Sequence, residues 1–133
     1  MSTRRLNVGV RNAAERTRAL REAVRRIGRG ERKPQASQLY FESVDQLRRF
    51  LTDRRMELLF RIGRDRPASI QKLAELVRRD YKNVSADIAL LEHLGLVKLT
   101  ASPGRGKPQV PTVPYDEIHL TIDLRATESR EAR

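Results

Sequence analysis

Several residue types are absent or scarce in this chain of 133 residues, and each shortage excludes a class of protein. There is no cysteine, so a disulfide framework and a zinc site built on thiolates are both excluded. No apolar run reaches the length of about 18 residues that a membrane-spanning helix needs, so we expect no membrane partner. Tryptophan is absent and aromatic residues make up only 5% of the chain. We therefore expect a small core and no ligand pocket lined by aromatic rings.

Histidine is also scarce, which argues against catalysis and against metal binding. His93 and His119 are the two histidines, and they lie far apart in the sequence without a nucleophile pattern beside them. The segment Gly104–Lys107 lacks the first glycine and the Ser or Thr of a phosphate-binding loop. The pair Asp116 and Glu117 has no cation-ligand spacing around it. The sequence thus predicts a protein that is not an enzyme and has no metal site and no cofactor.

Positive charge, in contrast, is present in excess and is concentrated at the N-terminus. The chain has 28 Lys and Arg against 17 Asp and Glu, a net charge of +11. Residues 1–33 alone carry eleven basic and three acidic side chains. A basic arm of this kind typically binds nucleic acid, although a membrane surface would attract it too and a merely solubilising tail has the same composition. We interpret residues 1–36 as a partly helical basic arm of a soluble, cytoplasmic protein.

The hydrophobic pattern of the middle of the chain predicts a series of capped helices. Candidate N-caps precede four of them: Ser43, with Gln46 completing a capping box, then Thr52, Ser69 and Asp80. Gly63 is expected to end the second of these helices, and Gly95 to end the last, which begins near Tyr81 and closes near His93. In that last helix Val84, Ile88 and Leu91 recur on one face.

After Gly95 the hydrophobic period changes from 3.6 to 2, which is typical of strands. Residues 97–101 and 118–124 alternate in this way and predict two antiparallel strands, joined by a loop over 102–114 that is rich in Pro and Gly. Helices, a tight turn and a hairpin with a basic loop are the plan of a winged helix-turn-helix. The predicted fold class is mainly α with a small antiparallel β-hairpin (α+β). The predicted domain covers residues 37–124, and residues 125–133 form a polar tail.

This plan predicts which residues contact DNA. With Val84 pointing inward, the opposite face of its helix presents a cation, an amide and small residues, a surface suited to the major groove. The preceding helix normally crosses the DNA backbone, and the hairpin tip offers cations to the minor groove. The predicted DNA-binding residues are Tyr81, Lys82, Asn83, Ser85 and Ala86 in the reading helix, Ser69, Gln71 and Lys72 in the preceding helix, and Arg105 and Lys107 in the wing.

Five motifs carry a resemblance to a known group of regulators. They are residues 51–59 (LTDRRMELL), 69–74 (SIQKLA), 80–88 (DYKNVSADI), 91–97 (LEHLGLV) and 113–118 (VPYDEI). In these segments the chain resembles bacterial and archaeal winged-helix regulators of the MarR/ArsR kind. It is most similar to a branch described as DNA-binding antitoxins that are encoded beside toxin genes. The resemblance covers about residues 39–124 and leaves the basic arm outside.

The resemblance implies a sequence-specific repressor that binds operator DNA, its own promoter in the autoregulating case, as a homodimer. In the antitoxin version the protein also neutralises a cognate toxin protein. Candidate surfaces for the dimer or toxin contact are a weak helical stripe of the arm, Leu20, Val24 and Ile27, and the extended residues Leu39 and Phe41. Two alternatives remain: a non-specific RNA-binding or nucleoid-associated protein that uses the arm, and a protein-interaction module that has lost DNA binding.

Overall fold

A computed structural model of the protein describes residues 3–10, 21, 25, 37–101 and 109–124. In chain order its elements are β1 (Arg5–Val10), β2 (Ser37–Phe41), α1 (Val44–Phe50), α2 (Asp53–Asp65), α3 (Ile70–Val77), α4 (Tyr81–His93), β3 (Lys98–Ala101), β4 (Gln109–Thr112) and β5 (Glu117–Thr121). The described residues form two compact units. The first unit contains β1, β2, α1 and β5, and the second is the continuous stretch Leu51–Asp116.

The second unit is built on helices that begin at the residues the sequence predicts. The hydroxyl of Thr52 accepts a hydrogen bond from the Arg55 N–H at 3.3 Å, and that of Ser69 accepts one from the Lys72 N–H at 3.1 Å. Asp80 caps α4 by accepting from the Lys82 N–H at 3.1 Å. Each cap satisfies a backbone donor that the first helical turn leaves unpaired. These predicted helix starts are confirmed.

The helix ends follow the sequence less closely. Gly95 has a φ of 86°, so it adopts the left-handed conformation expected of a residue that stops a helix. Gly63, however, does not end α2, which continues to Asp65 and is closed by Arg66 in the left-handed region with a φ of 48°. The Arg66 N–H donates to the Ile62 carbonyl at 3.1 Å. A glycine inside a helix is tolerated at a modest cost, so its presence alone does not fix a helix end.

The core of the second unit comes from the inward faces of its three helices and from the start of the hairpin. The fully buried side chains include Leu58 of α2, Leu73 of α3, and Val84, Ile88 and Leu91 of α4. Strand β3 then pairs antiparallel with β4, with Lys98 opposite Thr112 and Ala101 opposite Gln109. Pro111 lies opposite Leu99 and is fully buried. A proline is acceptable there because β4 is an edge strand among the described residues.

The first unit contains a three-stranded parallel sheet with the order β2-β1-β5. Val8 of the central strand is paired with Leu39 of β2 and with Leu120 of β5. Leu6, Val8 and Val10 alternate along β1 and are all buried, since they lie on the same face of the sheet. Phe41 of β2 is buried too and stacks on Phe50 of α1, with ring centroids 5.9 Å apart.

This sheet shows that the predicted fold class is wrong. The chain is α+β, with four helices in the described residues, a three-stranded parallel sheet and a separate two-stranded antiparallel sheet. The stretch predicted over residues 118–124 as the partner of β3 pairs instead with β1 in parallel, and β4 takes its place in the hairpin from within the predicted loop. The chain is therefore not a simple winged helix with one hairpin. An alternating pattern identifies a strand and its buried face, but it does not specify the partner strand.

Residues 5–10 also differ from the sequence interpretation. They were expected to belong to a basic, partly helical arm, yet they form the central strand of the parallel sheet. The helix predicted in the arm, over residues 13–27, lies outside the described residues, except that Arg21 and Arg25 have helical backbone.

Candidate nucleic-acid interface

The helix α4 has one face in the core and the opposite face open to solvent. Val84, Ile88 and Leu91 are fully buried, as the sequence spacing predicts. The exposed residues on the other side are Lys82, Asn83, Ala86, Ala89 and His93. Because the buried face fixes the rotation of the helix about its axis, the exposed face has a defined direction. The helix can therefore present a fixed set of side chains to a partner.

The predicted reading residues lie together in the first two turns of α4. Tyr81 is 46% exposed, Lys82, Asn83 and Ala86 are exposed, and Ser85 is half-buried. They offer a phenol, an ammonium group and an amide beside a small residue. The carboxylate of Asp80 already accepts the Lys82 N–H, so the N-terminal end of α4 is occupied by its own cap. A phosphate group that bound the backbone at this end would compete with that carboxylate.

A part-buried ion-pair network, which no local pattern in the sequence predicts, holds α4 against its neighbours. Asp87 Oδ1 accepts a hydrogen bond from Arg55 Nε of α2 at 3.0 Å. Asp87 Oδ2 accepts one at 2.9 Å from Nη2 of Arg79, which lies in the turn before α4. The Asp87 side chain is only 14% exposed. Arg79 Nη1 is buried without a hydrogen-bond partner in the part of the chain that the structure describes. The network pairs the one carboxylate in the middle of α4 with two guanidinium groups. The other carboxylate within one turn of Asn83 belongs to Asp80 and caps the helix.

The turn between α3 and α4 adds a cation that the sequence analysis also missed. Arg78 ends α3 in the left-handed conformation with a φ of 56°, and its side chain is exposed. The Arg78 N–H donates to the Glu75 carbonyl at 3.2 Å. A non-glycine residue in this conformation carries a small strain, which is a feature seen at functional turns. The signal in the sequence was weak, because nothing in the pair of arginines at 78 and 79 shows that one is exposed and the other buried.

The residues predicted in the preceding helix have different surroundings from one another. Ser69 is buried and uses its hydroxyl as the N-cap of α3, so it is a structural residue. Gln71 donates to Glu75 Oε2 at 3.3 Å, and Lys72 Nζ lies 3.7 Å from Glu75 Oε1. Both side chains are exposed. Gln71 and Lys72 thus remain candidates for contact with a DNA backbone.

The other predicted contact residues lie outside the described residues or in the first unit. Arg105 and Lys107 of the wing lie outside the described residues, and so do Leu20, Val24 and Ile27 of the arm. Leu39 is half-buried in β2, and Phe41 is buried against Phe50 in the first unit, so the Phe41 ring has no surface to offer a partner.

Among the described residues, two carboxyl groups have a shifted pKa, and neither belongs to the exposed face of α4. A hydrogen bond from Arg61 lowers the pKa of Asp65, with Arg64 contributing in the same direction. A hydrogen bond with His119 lowers the pKa of Glu117, and Arg5 adds to the effect.

Comparison with known proteins identifies a family for this chain. The profile of the HVO_A0114 family matches residues 50–120. The chain belongs to this family. The match contains the whole of the second unit, Leu51–Asp116, with α3, the turn and α4. No curated protein and no solved structure matches the chain.

The name of the HVO_A0114 family specifies no function, so the family match leaves the MarR/ArsR resemblance and the antitoxin role as predictions. Within the described residues of this family member, no group of three or more His, Asp or Glu side chains is arranged to hold a metal ion. None of its described helices is long and apolar enough to cross a membrane.

Proposed function

We propose that this HVO_A0114 family member is a sequence-specific DNA-binding protein that inserts α4 into the major groove and represses transcription as a homodimer. The observation that carries the proposal is the exposed face of α4, where Lys82, Asn83 and Ala86 lie opposite a fully buried stripe. A helix with one fixed open face, bearing groups that pair with base edges, is what direct readout of duplex DNA uses.

The dimensions and the side chains of α4 support this proposal. Its 13 residues span about 20 Å, and a major groove about 12 Å wide admits one helix. Ala86 and Ala89 are small, so the helix axis can approach the groove floor closely. Asn83 can donate to adenine N7 and accept from adenine N6 in a bidentate pair, while Lys82 can contact a guanine or a phosphate.

The electrostatics of the second unit support it as well. Because Arg55 and Arg79 pair with Asp87, no carboxylate in the middle of α4 opposes a phosphate backbone. Lys72, Arg78 and Lys82 are exposed cations on α3, on the turn and on α4. The chain as a whole carries +11, which favours association with a polyanion and raises the rate of encounter.

The test is a titration of the full chain onto the DNA upstream of its own gene and onto a scrambled duplex of equal length. Fluorescence anisotropy at three salt concentrations measures both affinities. We expect a preference of about a hundredfold or more at physiological salt, as specific binders show. Equal binding to both duplexes that collapses as salt rises would reject the proposal. It would support the non-specific nucleic-acid binder that the basic N-terminal residues suggest.

Three variants make the test specific to α4. Asn83→Ala should cost about 1–3 kcal/mol of binding and relax the preference at one base pair. Lys82→Ala should weaken binding to every sequence, and it should reduce the slope of the logarithm of the binding constant against the logarithm of the salt concentration by about one. Arg54→Ala is the matched control, because it removes one exposed cation from α2 instead. If Arg54→Ala and Lys82→Ala weaken binding equally, then α4 is not the contact surface.

The resemblance described above extends the proposal to autoregulation and to a toxin partner. The protein would then bind the product of a neighbouring gene, and the complex would repress the shared promoter. Co-expression of the chain with that neighbouring product tests this extension. A stable complex that relieves growth arrest supports it, and growth arrest without any complex contradicts it.

A further inference from the structure

The outer face of α2 exposes apolar side chains that the second unit does not cover. Phe60 is 66% exposed, although Leu58, Leu59 and Ile62 of the same helix are buried. Met56, one turn before Phe60, is half-buried. Gly63 is exposed, and apart from the neighbouring backbone of its own helix no described atom lies within 4 Å of the place where its Cβ would stand. Phe60 therefore projects from the helix beside an open space at Gly63.

The charges that flank Phe60 are arranged so that this face complements itself. At 100° per residue, Glu57 and Arg64 fall on one side of Phe60, about 60° and 40° from it, while Met56 and Gly63 fall on the other side, at about 40° and 60°. Glu57 lies before Phe60 along the helix and Arg64 lies after it. Glu57 and Arg64 thus lie along the same edge of the face, with the acid on the N-terminal side of Phe60 and the base on the C-terminal side.

We propose that this face, Met56–Arg64 of α2, binds the same face of a second copy of the chain, with the two helices antiparallel across a two-fold axis at Phe60. A two-fold axis of this kind brings equal edges together. Glu57, about 4.5 Å before the axis, then meets Arg64 of the second copy, about 6 Å from the axis on the same edge. Along the opposite edge Met56 fills the open space at Gly63 of the second copy.

The occupant is a second copy because the pattern is self-complementary on both edges. One edge gives two symmetric Glu57–Arg64 ion pairs, the other gives two symmetric contacts of Met56 with Gly63, and the two Phe60 rings meet at the axis. Arg64 Nε lies 3.3 Å from Asp65 Oδ1, but a guanidinium group has five N–H donors and can serve both carboxylates. A glycine at position 63 also lets two helix backbones come close together.

The size of the interface predicts a weak and reversible dimer. A single pair of helices 13 residues long buries less than the roughly 1,200 Å² of a standard stable interface. The inference rests on the proposed function, in which a homodimer binds DNA, and it names the surface that such a dimer would use. Binding of both copies to a two-fold operator would add to this weak affinity.

The first experiment is sedimentation equilibrium of the full chain without DNA, from about 1 µM to about 1 mM, a range that suits weak interfaces. We expect the mass to rise from 15.3 kDa towards twice that value. Phe60→Glu should raise the dissociation constant by about a hundredfold, the effect expected of a central aromatic anchor. Leu76→Glu is the matched control, since Leu76 is another exposed large apolar residue of the same unit, on α3, and its replacement should leave association unchanged. A wild-type chain that stays monomeric at every concentration overturns the inference.

The variant Gly63→Gln distinguishes the loss of the dimer contact from unfolding of the protein. A Cβ at this position meets no atom of the described residues within 4 Å, and glutamine has a higher helix propensity than glycine, so the melting temperature should not fall. The same side chain fills the space reserved for Met56 of the second copy, so the dimer should be lost. A dimer that is unaffected by Gly63→Gln contradicts the proposed arrangement.

The charge pairs permit a rescue experiment that only self-association with this geometry can satisfy. Glu57→Arg and Arg64→Glu should each weaken the dimer by about fivefold to tenfold, because each places like charges at two positions. The double variant restores both pairs with the signs exchanged and should return to within about threefold of the wild type. If the double variant is as weak as the single ones, Glu57 does not face Arg64.

The dimer and the DNA-binding proposal can fail separately. Asn83→Ala should leave the sedimentation profile unchanged, because Asn83 lies on α4 and not on the proposed interface. A dimer that ignores operator DNA would reject the proposed function and leave the interface standing. Specific DNA binding by a chain that stays monomeric, with or without Phe60→Glu, would reject the interface and leave the proposal of DNA binding standing.

Discussion

The two units of the chain are assembled from the sequence in opposite ways. The second unit is continuous, from Leu51 to Asp116, and its helices contact neighbours that follow within a few residues. The first unit joins β1, near the start of the chain, to β2 and to β5, which begins at Glu117. The helices of the second unit begin at single capping residues, each of which acts on the first turn of its own helix. In the first unit, the pairing of β1 with β5 joins segments that are 112 residues apart in the sequence, as between Arg5 and Glu117. Local signals can be recognised in one sequence, but distant pairing cannot.

The units also differ in how they hold charge. In the second unit the Asp87 network joins α4 to α2 through side chains that are mostly withdrawn from solvent. In the first unit, the described ion pairs Arg49–Asp45 and Arg5–Glu117 are about half exposed or more. Solvent-exposed pairs contribute little to stability, whereas removing one member of a buried pair leaves an uncompensated charge. The first unit should therefore depend mainly on its apolar sheet face, and the second on packing and on the network.

The largest expected effects come from truncating a core leucine in each unit. Leu73→Ala in α3 and Leu6→Ala in β1 should each cost about 2–5 kcal/mol, because both side chains are buried. The controls Leu76→Ala and Leu120→Ala change leucines that are 40% and 53% exposed and should cost below about 1 kcal/mol. Amide hydrogen exchange shows where protection is lost. We expect the loss in α3 and α4 for Leu73→Ala and in the sheet for Leu6→Ala, and the reverse assignment would contradict the division into units.

The next effect compares the buried network with an exposed pair. Asp87→Ala should destabilise the protein by about 3 kcal/mol, because Arg79, whose Nη1 has no hydrogen-bond partner among the described residues, would lose the carboxylate that Nη2 contacts. Asp45→Ala removes the carboxylate of an exposed pair and should cost about 0.5 kcal/mol or less. Urea unfolding of both variants measures the difference. Similar losses would mean that Asp87 does not hold α4 in place.

The same contrast explains which features the sequence predicted. The caps at Ser69 and Asp80, the turn at Gly95 and the buried stripe of α4 were all predicted correctly, because each depends on residues within one or two turns. The exposed face around Asn83 followed from that stripe, since the two faces of one helix are linked by its period. The placement of the candidate site on α4 could therefore be predicted from a short segment.

The parallel sheet could not be predicted with the same reasoning. The alternation of Leu6, Val8 and Val10 is visible in the sequence, but the surrounding arginines suggested a solvated arm instead. Parallel pairing adds no local turn signal, because the connection between such strands is long. The Asp87 network was missed for a related reason. A carboxylate on the flank of an apolar stripe shows that a cationic partner is needed, but not that the partners are Arg55 and Arg79.

A smaller effect compares the N-caps of the two units. Ser69→Ala should cost about 1–2 kcal/mol, because its hydroxyl is buried and the Lys72 N–H would lose its acceptor. Ser43→Ala removes a similar bond, to the Gln46 N–H at 3.0 Å, but from the partly exposed start of a seven-residue helix where water can replace it. We expect about 0.5 kcal/mol there. Thermal unfolding distinguishes the two values, and equal losses would show that burial of the cap is unimportant.

The smallest effect concerns the carboxylate of Glu117, which contacts His119 on its own strand and Arg5 on β1 in the first unit. His119 Nε2 lies 2.8 Å from Glu117 Oε1, and this hydrogen bond, more than the charge of Arg5 at 3.6 Å, holds the Glu117 pKa below its ordinary value of 4.5. A carboxyl group whose pKa is lowered on folding stabilises the protein above its unfolded pKa. That contribution declines as the pH falls below 4.5 and is lost once the pH passes the lowered folded pKa. Both side chains are well exposed, so solvent weakens the effect.

An NMR titration of the Glu117 carboxyl group measures this link directly. His119→Ala should raise the Glu117 pKa towards 4.5, and Arg5→Ala should raise it less, since the hydrogen bond with His119 is the larger cause. The Asp65 carboxyl group of the second unit is the internal control, because its lowered pKa depends on Arg61 and should not respond to His119→Ala. If His119→Ala leaves the Glu117 pKa unchanged, the imidazole does not donate to this carboxylate in solution.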